Sequence, residues 1–305
     1  MRIRFEQGTL VCEADDDGDD LSSMPGAVWD DEHRAWRLAA ERYAATLRWL
    51  IAHGVRFSDD LPSWRITVRW EVPLLHWYQS LALERWRAAE MRGVIAVPAG
   101  PPRIVLALAA IARLGLSTLC LVPSVQALEP WRRALAEGTG LHVGRLGDGS
   151  PDIASLTVAT FASAARWATE IGDHFGLLII DEAHHVGAAC PSELLDLLVA
   201  PARLGLTSLP PESPALLERQ VGPVVHDRAH EPTEREAPIP STPPDTPAPP
   251  HTLPLGAAID RVMQRLIGRS RATIAPFLGD TPRSTAPLAH DAPFTEGAHV
   301  TGGLP

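Results

Sequence analysis

Lysine and asparagine are absent from all 305 residues, so the 27 basic side chains other than histidine are arginines. Both missing residues have AT-rich codons, and a GC-rich genome accounts for their loss. The chemical consequence does not depend on that cause: no compact ammonium is available to a phosphate-binding loop. Cysteine is nearly absent too. Cys12, Cys120 and Cys190 are odd in number and show no C-x-x-C spacing. This argues against a disulfide framework or a zinc ribbon and points to a reducing cytoplasm. No apolar run is long enough to span a bilayer, and "MRIRFEQGTL" lacks the apolar core of a signal peptide, so no membrane association is expected. The net charge of −10 counts against nucleic acid, yet much of the acid is local, in "EADDDGDD" from Glu13 and "DDEH" from Asp30. Charge balance leaves nucleic-acid binding open without supporting it.

What is present changes texture twice. Residues 1–62 read as a small α+β domain. It has two short strands around Gly8, a Trp-rich hairpin in "GAVWDDEHRAWRL", and an amphipathic helix ending at Gly54 with Tyr43, Leu47, Trp49 and Leu50 facing inward. Residues 63–225 alternate apolar strands, at Val94–Val97, Thr118–Val122, Leu156–Thr160, Leu177–Ile180 and Leu204–Thr207, with Ala/Leu-rich helices. That alternation predicts a parallel sheet covered on both faces, with ligands at the C-terminal ends of the strands. Residues 226–305 are rich in proline, threonine and alanine and predict a mostly disordered tail, with one helical candidate, "GAAIDRVMQRLIGRS". Within it "QRLIGRSR", Gln264 to Arg271, is a poor match to an arginine-finger motif and reads as part of a basic amphipathic helix.

Two strand ends carry polar motifs, "VPAGPPRI" and "LLIIDEAHH". With "LLHWYQSLALERW" before them, "LCLVPSVQALEPW" and "LTVATFASA" between them, and "LGLTSLPPE" after, they stand in an order that resembles the first RecA-like domain of superfamily 2 helicases, of the XPB-type DEAH group. The segment before residue 62 is similar to that group's small damage-recognition domain. The resemblance implies a RecA-like P-loop NTPase sheet, with ATP and Mg²⁺ as cofactors and single-stranded or forked DNA as partner. Gln79 would read the adenine, and Gly100 and Arg103 would lie at the phosphates. Asp181 would hold Mg²⁺ through water, Glu182 would orient or deprotonate the attacking water, and His184 would couple the site to nucleic acid. Pro123, Ser124 and Thr160 would contact the nucleic-acid backbone, and Thr207 and Ser208 would serve the coupling motif.

The phosphate loop departs from the family pattern P-T-G-x-G-K-T. Pro101 and Pro102 have no N–H to offer a phosphate. Arg103 is a planar fork in place of an ammonium, and Ile104 replaces the magnesium-ligating hydroxyl. Asp181 and Glu182 therefore read either as surviving catalytic acids or as a polar strand end kept by ancestry. His184, His185 and Cys190 make a poor metal set, because adjacent histidines point apart. The tryptophans crowded before residue 90 read as core first and as base-stacking platforms second. The expectation is a truncated, hydrolysis-deficient member of an ATP-dependent DNA helicase family. Three functional classes stay open: an ATPase completed by a separate chain that supplies the second RecA-like domain, a non-catalytic nucleic-acid-binding module, and a decayed gene product.

Overall fold

In the computed structural model, residues 1–14, 21–68, 70–148 and 151–228 are described. The acidic run at 15–20 and the tail from residue 229, with its helical candidate, lie outside them.

Gln7 and Gly8 both take positive φ, 46° and 83°, the two-residue turn whose twist suits a hairpin. It joins β1 (Arg2–Glu6) to β2 (Thr9–Glu13). The sheet is completed by β3 (Val28–Asp30), β4 (Ala35–Ala39) and, after α1 (Tyr43–Ala52), β5 (Ser58–Asp59), in the order β3-β4-β2-β1-β5. Along α1, Tyr43, Thr46, Leu47 and Leu50 are buried at the i, i+3, i+4, i+7 spacing of one helical face. Trp49 departs from expectation: it lies beside that face, half-buried, with its ring 3.9 Å from that of His53. Gly54 ends the helix at φ 70°, with Val55 N–H bonded to Leu50 O and Gly54 N–H to Ile51 O. This is the Schellman arrangement that favours glycine.

The second unit begins with α2 (Trp77–Ala88), β6 (Arg92–Ala96), α3 (Pro101–Leu114), β7 (Thr118–Val122) and α4 (Val125–Thr139). It continues through β8 (Val143–Leu146), β9 (Leu156–Thr160), α5 (Phe161–Ile171), β10 (Leu177–Asp181) and α6 (Ser192–Asp196). It closes with β11 (Ala202–Thr207), α7 (Pro214–Gln220) and β12 (Val224–Asp227). The seven strands are all parallel, in the order β12-β6-β11-β10-β7-β9-β8. This is the RecA-like α/β sheet. Strand residues alternate between two cores. Ile95, Cys120, Val122, Val158, Ile179 and Leu204 share one with α2, α3 and α4. Val94, Leu119, Leu121, Ala159, Leu178 and Ile180 share the other with α5, α6 and α7. Burial on both faces is why the central strands read as unbroken apolar runs. In this sheet the two strands the sequence reading does not anticipate, β8 and β12, are the two edges. An edge strand tolerates the Arg145 and the His226–Asp227 pair that hide its pattern.

The units pack through close approaches. A Cβ on Gly8 would collide with Leu197, and one on Gly172 would fall 2.5 Å from Phe5. Trp64 bridges them, its indole N–H donating to Asp173 O at 2.6 Å and its ring edge-on to Tyr43. Trp64 and Trp86 are core residues, as expected, whereas Trp29 and Trp77 are exposed. Arg203 is fully buried and donates to the carbonyls of Leu195, Leu198, Ala200 and Gln220. It ties the ends of α6 and α7 to the start of β11.

On β12, His226 is 6% exposed and neither ring nitrogen has a hydrogen bond. Burial first, then Arg85 and Arg228, lowers its pKa, with Asp227 opposing. The unfolded chain takes up this proton near pH 6.5 and the fold resists it, so stability is full above about pH 6.5 and falls below it. Urea midpoints measured from about pH 7 to about pH 5 should fall, and His226→Leu should flatten part of that slope. An unchanged slope in the variant would assign the pH dependence to other groups.

Candidate functional site

Parallel register brings the C-terminal ends of β6, β11 and β10 side by side, with β11 between the other two. After β6 the chain turns at Gly100, φ 97° and ψ −143°, and a Cβ there would meet nothing within 4 Å. Pro101 and Pro102 are the first two residues of α3. Helix starts accept proline readily, because the first amides have no intrahelical partner. Those same unpartnered amides are what binds an anion at a helix N-terminus. Two are missing here, and the third, on Arg103, bonds to Gly100 O at 3.1 Å. Ile104 has no hydroxyl and packs half-buried against the core.

The Arg103 side chain is 2% exposed and turns back across the sheet. Its Nη1 lies 2.7 Å from Asp181 Oδ1 and 2.7 Å from Glu182 Oε1. The other oxygen of Asp181 accepts the indole N–H of Trp131, on α4, at 2.8 Å. Asp181 thus has each oxygen engaged by a protein donor. Arg103 Nε and Nη2 and Glu182 Oε2 are buried without hydrogen-bond partners. Glu182 takes a left-handed φ of 52° immediately after β10, a conformation that costs a non-glycine residue about 1–2 kcal/mol. Beneath the pair, burial and then the charge of Asp181 push the Cys120 thiol well up from its ordinary range.

His184 sits one turn on. Its Nδ1 is 3.1 Å from Thr207 Oγ1 and 3.4 Å from Glu182 Oε2. The Thr207 hydroxyl donates to Leu209 O, so the Nδ1–H of His184 is the donor in their bond. Burial, then His185, lowers the His184 pKa against the pull of Glu182 and Glu212. His185 Nδ1 is 3.1 Å from Glu212 Oε1, but the rings of His184 and His185 lie only 4.0 Å apart, so the two side chains do not diverge as expected. Among the described residues they still belong to no group of three or more metal-ligating side chains. Ser208 is half-buried beside Thr207 and takes no part in the His184 bond. Gln79 is 2% exposed; its Oε1 accepts His76 N–H at 2.9 Å and its Nε2 faces Pro102 O at 3.4 Å. Gln79, Gly100, Arg103, Asp181, Glu182, His184 and Thr207 therefore form one connected site. The residues present do not fit Mg·ATP: the loop lacks amides and hydroxyl, and an arginine already holds both carboxylates.

Pro123, Ser124 and Thr160 gather elsewhere, at the ends of β7 and β9. With Val125, Asp148, Ala162, Ser163 and Arg166 they line a cleft of about 540 Å³. Ser124 and Thr160 cap α4 and α5, accepting Ala127 N–H and Ser163 N–H. Arg166 is the cleft's cation and Asp148 its anion, two residues that no motif marks in the sequence. Trp131 was equally invisible, since nothing links an α4 indole to an acid fifty residues on.

Residues 3–61 match the Xeroderma pigmentosum group B helicase damage recognition domain, and residues 74–212 match the res subunit of type III restriction enzymes. The chain is 30% identical over 236 residues to the DNA 3'-5' translocase XPB2 of Sulfurisphaera tokodaii, covering 75% of this chain and 51% of that one. These matches support a helicase ancestry, and the chain resembles the N-terminal part of the XPB-type helicases. The DNA 3'-5' helicase XPB of Mycobacterium tuberculosis is 32% identical over 142 residues, 43% of this chain and 26% of the relative. The chain thus spans about half, or less, of the relatives it matches. A looser likeness in fold is to the UvsW helicase of bacteriophage T4, with a TM-score of 0.43 and 14% identity over 74% of this chain and 99% of that one.

Removing one member of a buried charge set leaves the rest uncompensated, whereas replacing the whole set can be nearly neutral. Arg103→Met should lower the unfolding free energy by about 3 kcal/mol in urea titrations, and adding Asp181→Asn with Glu182→Gln should restore most of it. Equal losses in both variants would mean that Arg103 acts through packing alone.

Proposed function

We propose that this chain is a DNA-binding relative of the XPB-type helicases that does not hydrolyse ATP. The observation that carries the reading is Arg103: its guanidinium lies between the two carboxylates that a DEAH box would devote to magnesium and water. On this reading the loop at 97–104 is a degenerate Walker A motif and Asp181 to His184 is a DEAH box. A tethered cation has taken the place of a metal–nucleotide pair. The His184–Thr207 bond, which in an active enzyme would couple hydrolysis to nucleic acid, is retained without a nucleotide to drive it. The cytoplasm is the compartment that suits three buried free thiols. No helix among the described residues is long and apolar enough to cross a membrane.

Calorimetric titration with Mg·ATP tests the nucleotide half. The natural chain should give no heat of binding, and Pro102→Gly with Arg103→Lys and Ile104→Thr should bind. Micromolar binding by the natural chain would instead favour an ATPase completed by a second polypeptide.

The cleft beside Ser124 and Thr160 is the proposed DNA contact. One arginine in a chain of net charge −10 makes that contact weak and its salt dependence shallow. Fluorescence anisotropy with single-stranded DNA should give a linear log K against log salt, and Arg166→Ala should reduce the slope by about 0.7, the share of one phosphate. A variant with an unaltered slope would remove the cleft from the reading, and no binding at low salt would leave the decayed-product alternative.

A further inference from the structure

The cleft at Ser124 and Thr160 does not end at Arg166. A second cleft, of about 430 Å³, opens beside it and is lined by Asp148, Arg166, Trp167 and Glu170. Asp148 and Arg166 line both clefts, so the two share a wall. The volume of the second is that of a small-ligand pocket.

Three of its four side chains come from α5, which buries Phe161, Ser163, Ala164, Ala168 and Ile171. Trp167 lies at the margin of that buried face. It is half-buried against the apolar core, which leaves part of its ring to the cleft. Glu170 follows it by one turn and is exposed, and Asp148, also exposed, comes from the chain after β8. Arg166 Nη2 donates to Ser163 Oγ at 3.2 Å, which directs the guanidinium toward the first cleft. Among the described residues neither carboxylate forms an ion pair with Arg166. Opposite charges that do not neutralise each other are left for the two ends of one ligand.

A cation, an aromatic ring and two acceptors match the phosphate, the base ring and the hydrogen-bonding edge of a nucleotide. Proteins hold unstacked bases in this way, against an aromatic side chain and through the Watson–Crick edge. Carboxylates only accept, so they select bases that present donors. Thymine sets a carbonyl on either side of its N–H and is disfavoured. Cytosine and adenine each offer one amino group beside an acceptor nitrogen. Guanine offers two adjacent donors, N1–H and the 2-amino group, which one carboxylate can take together. We propose that this cleft takes an unstacked guanine from a single DNA strand whose backbone lies at Ser124 and Thr160. The assignment rests on the reading of that first cleft as the DNA contact.

Fluorescence anisotropy at low salt tests it, with a strand of about twelve nucleotides alternating thymine and guanine against an all-thymine strand of equal length. The natural chain should bind the first about ten times more tightly, the order of discrimination of one bidentate base contact. Hypoxanthine in place of guanine, which lacks the 2-amino group, should lose most of that preference. Asp148→Ala with Glu170→Ala, both at exposed positions, should bind the two strands alike, and thymine no more weakly than the natural chain does. Equal affinities in the natural chain, both weakened by Arg166→Ala, would overturn the guanine subsite and leave the DNA contact standing. A preference that survives the double carboxylate change would overturn it by placing selection elsewhere. Displacement of the strand by equimolar guanosine monophosphate would overturn it in favour of a free nucleotide. Failure of both strands to bind would remove the DNA contact itself, and this subsite with it.

Discussion

Arg103 between Asp181 and Glu182 fixes the arrangement of the sheet edge at which β6, β11 and β10 end. The guanidinium is buried with only two of its nitrogen–hydrogen contacts answered, so its position rests on the two carboxylates. They in turn are held by β10, by the indole of Trp131 from α4 and by the left-handed turn at Glu182. Two helices, α3 and α4, and the central strand β10 thereby meet at one charge. A proline-started α3 is compatible with this, because the helix no longer has to present amides outward.

The same constraint separates the two halves of the molecule's chemistry. Around Arg103 every polar group turns inward: Gln79 caps its own helix and reaches Pro102, and His184 bonds to Thr207. The cleft at Ser124, Thr160 and Arg166 turns outward. An inward-facing charge set has little to gain from a diffusing ligand, since binding would first have to break contacts already made in a low-dielectric setting. An exposed arginine beside two capped helix starts has no such obstacle. This contrast is why the cleft, and not the Arg103 charge set, is the proposed place of DNA contact.

Much of the fold was legible in the chain. The central strands announce themselves because burial on both faces demands continuous apolar residues, and Gly54 marks the end of α1 because the Schellman turn requires a positive φ. The edge strands β8 and β12 were not legible, since an edge carries polar residues without penalty. Trp49 misled the helical count because a large ring can lie along a boundary and stack on His53.

For the site, the sequence by itself determined what was missing: a chain without lysine, with prolines where amides are wanted and isoleucine where a hydroxyl is wanted, lacks the chemistry of a phosphate loop. It could not determine what fills the space. Only the tertiary structure decided that Arg103 points across β11 to the carboxylates of β10, that Trp131 closes the far side of Asp181, and that Arg166 joins Ser124 and Thr160 in one cleft. The physical reason is the parallel sheet, which brings strand ends far apart in sequence to one edge. The contacts made there depend on strand order and register, which no local pattern records.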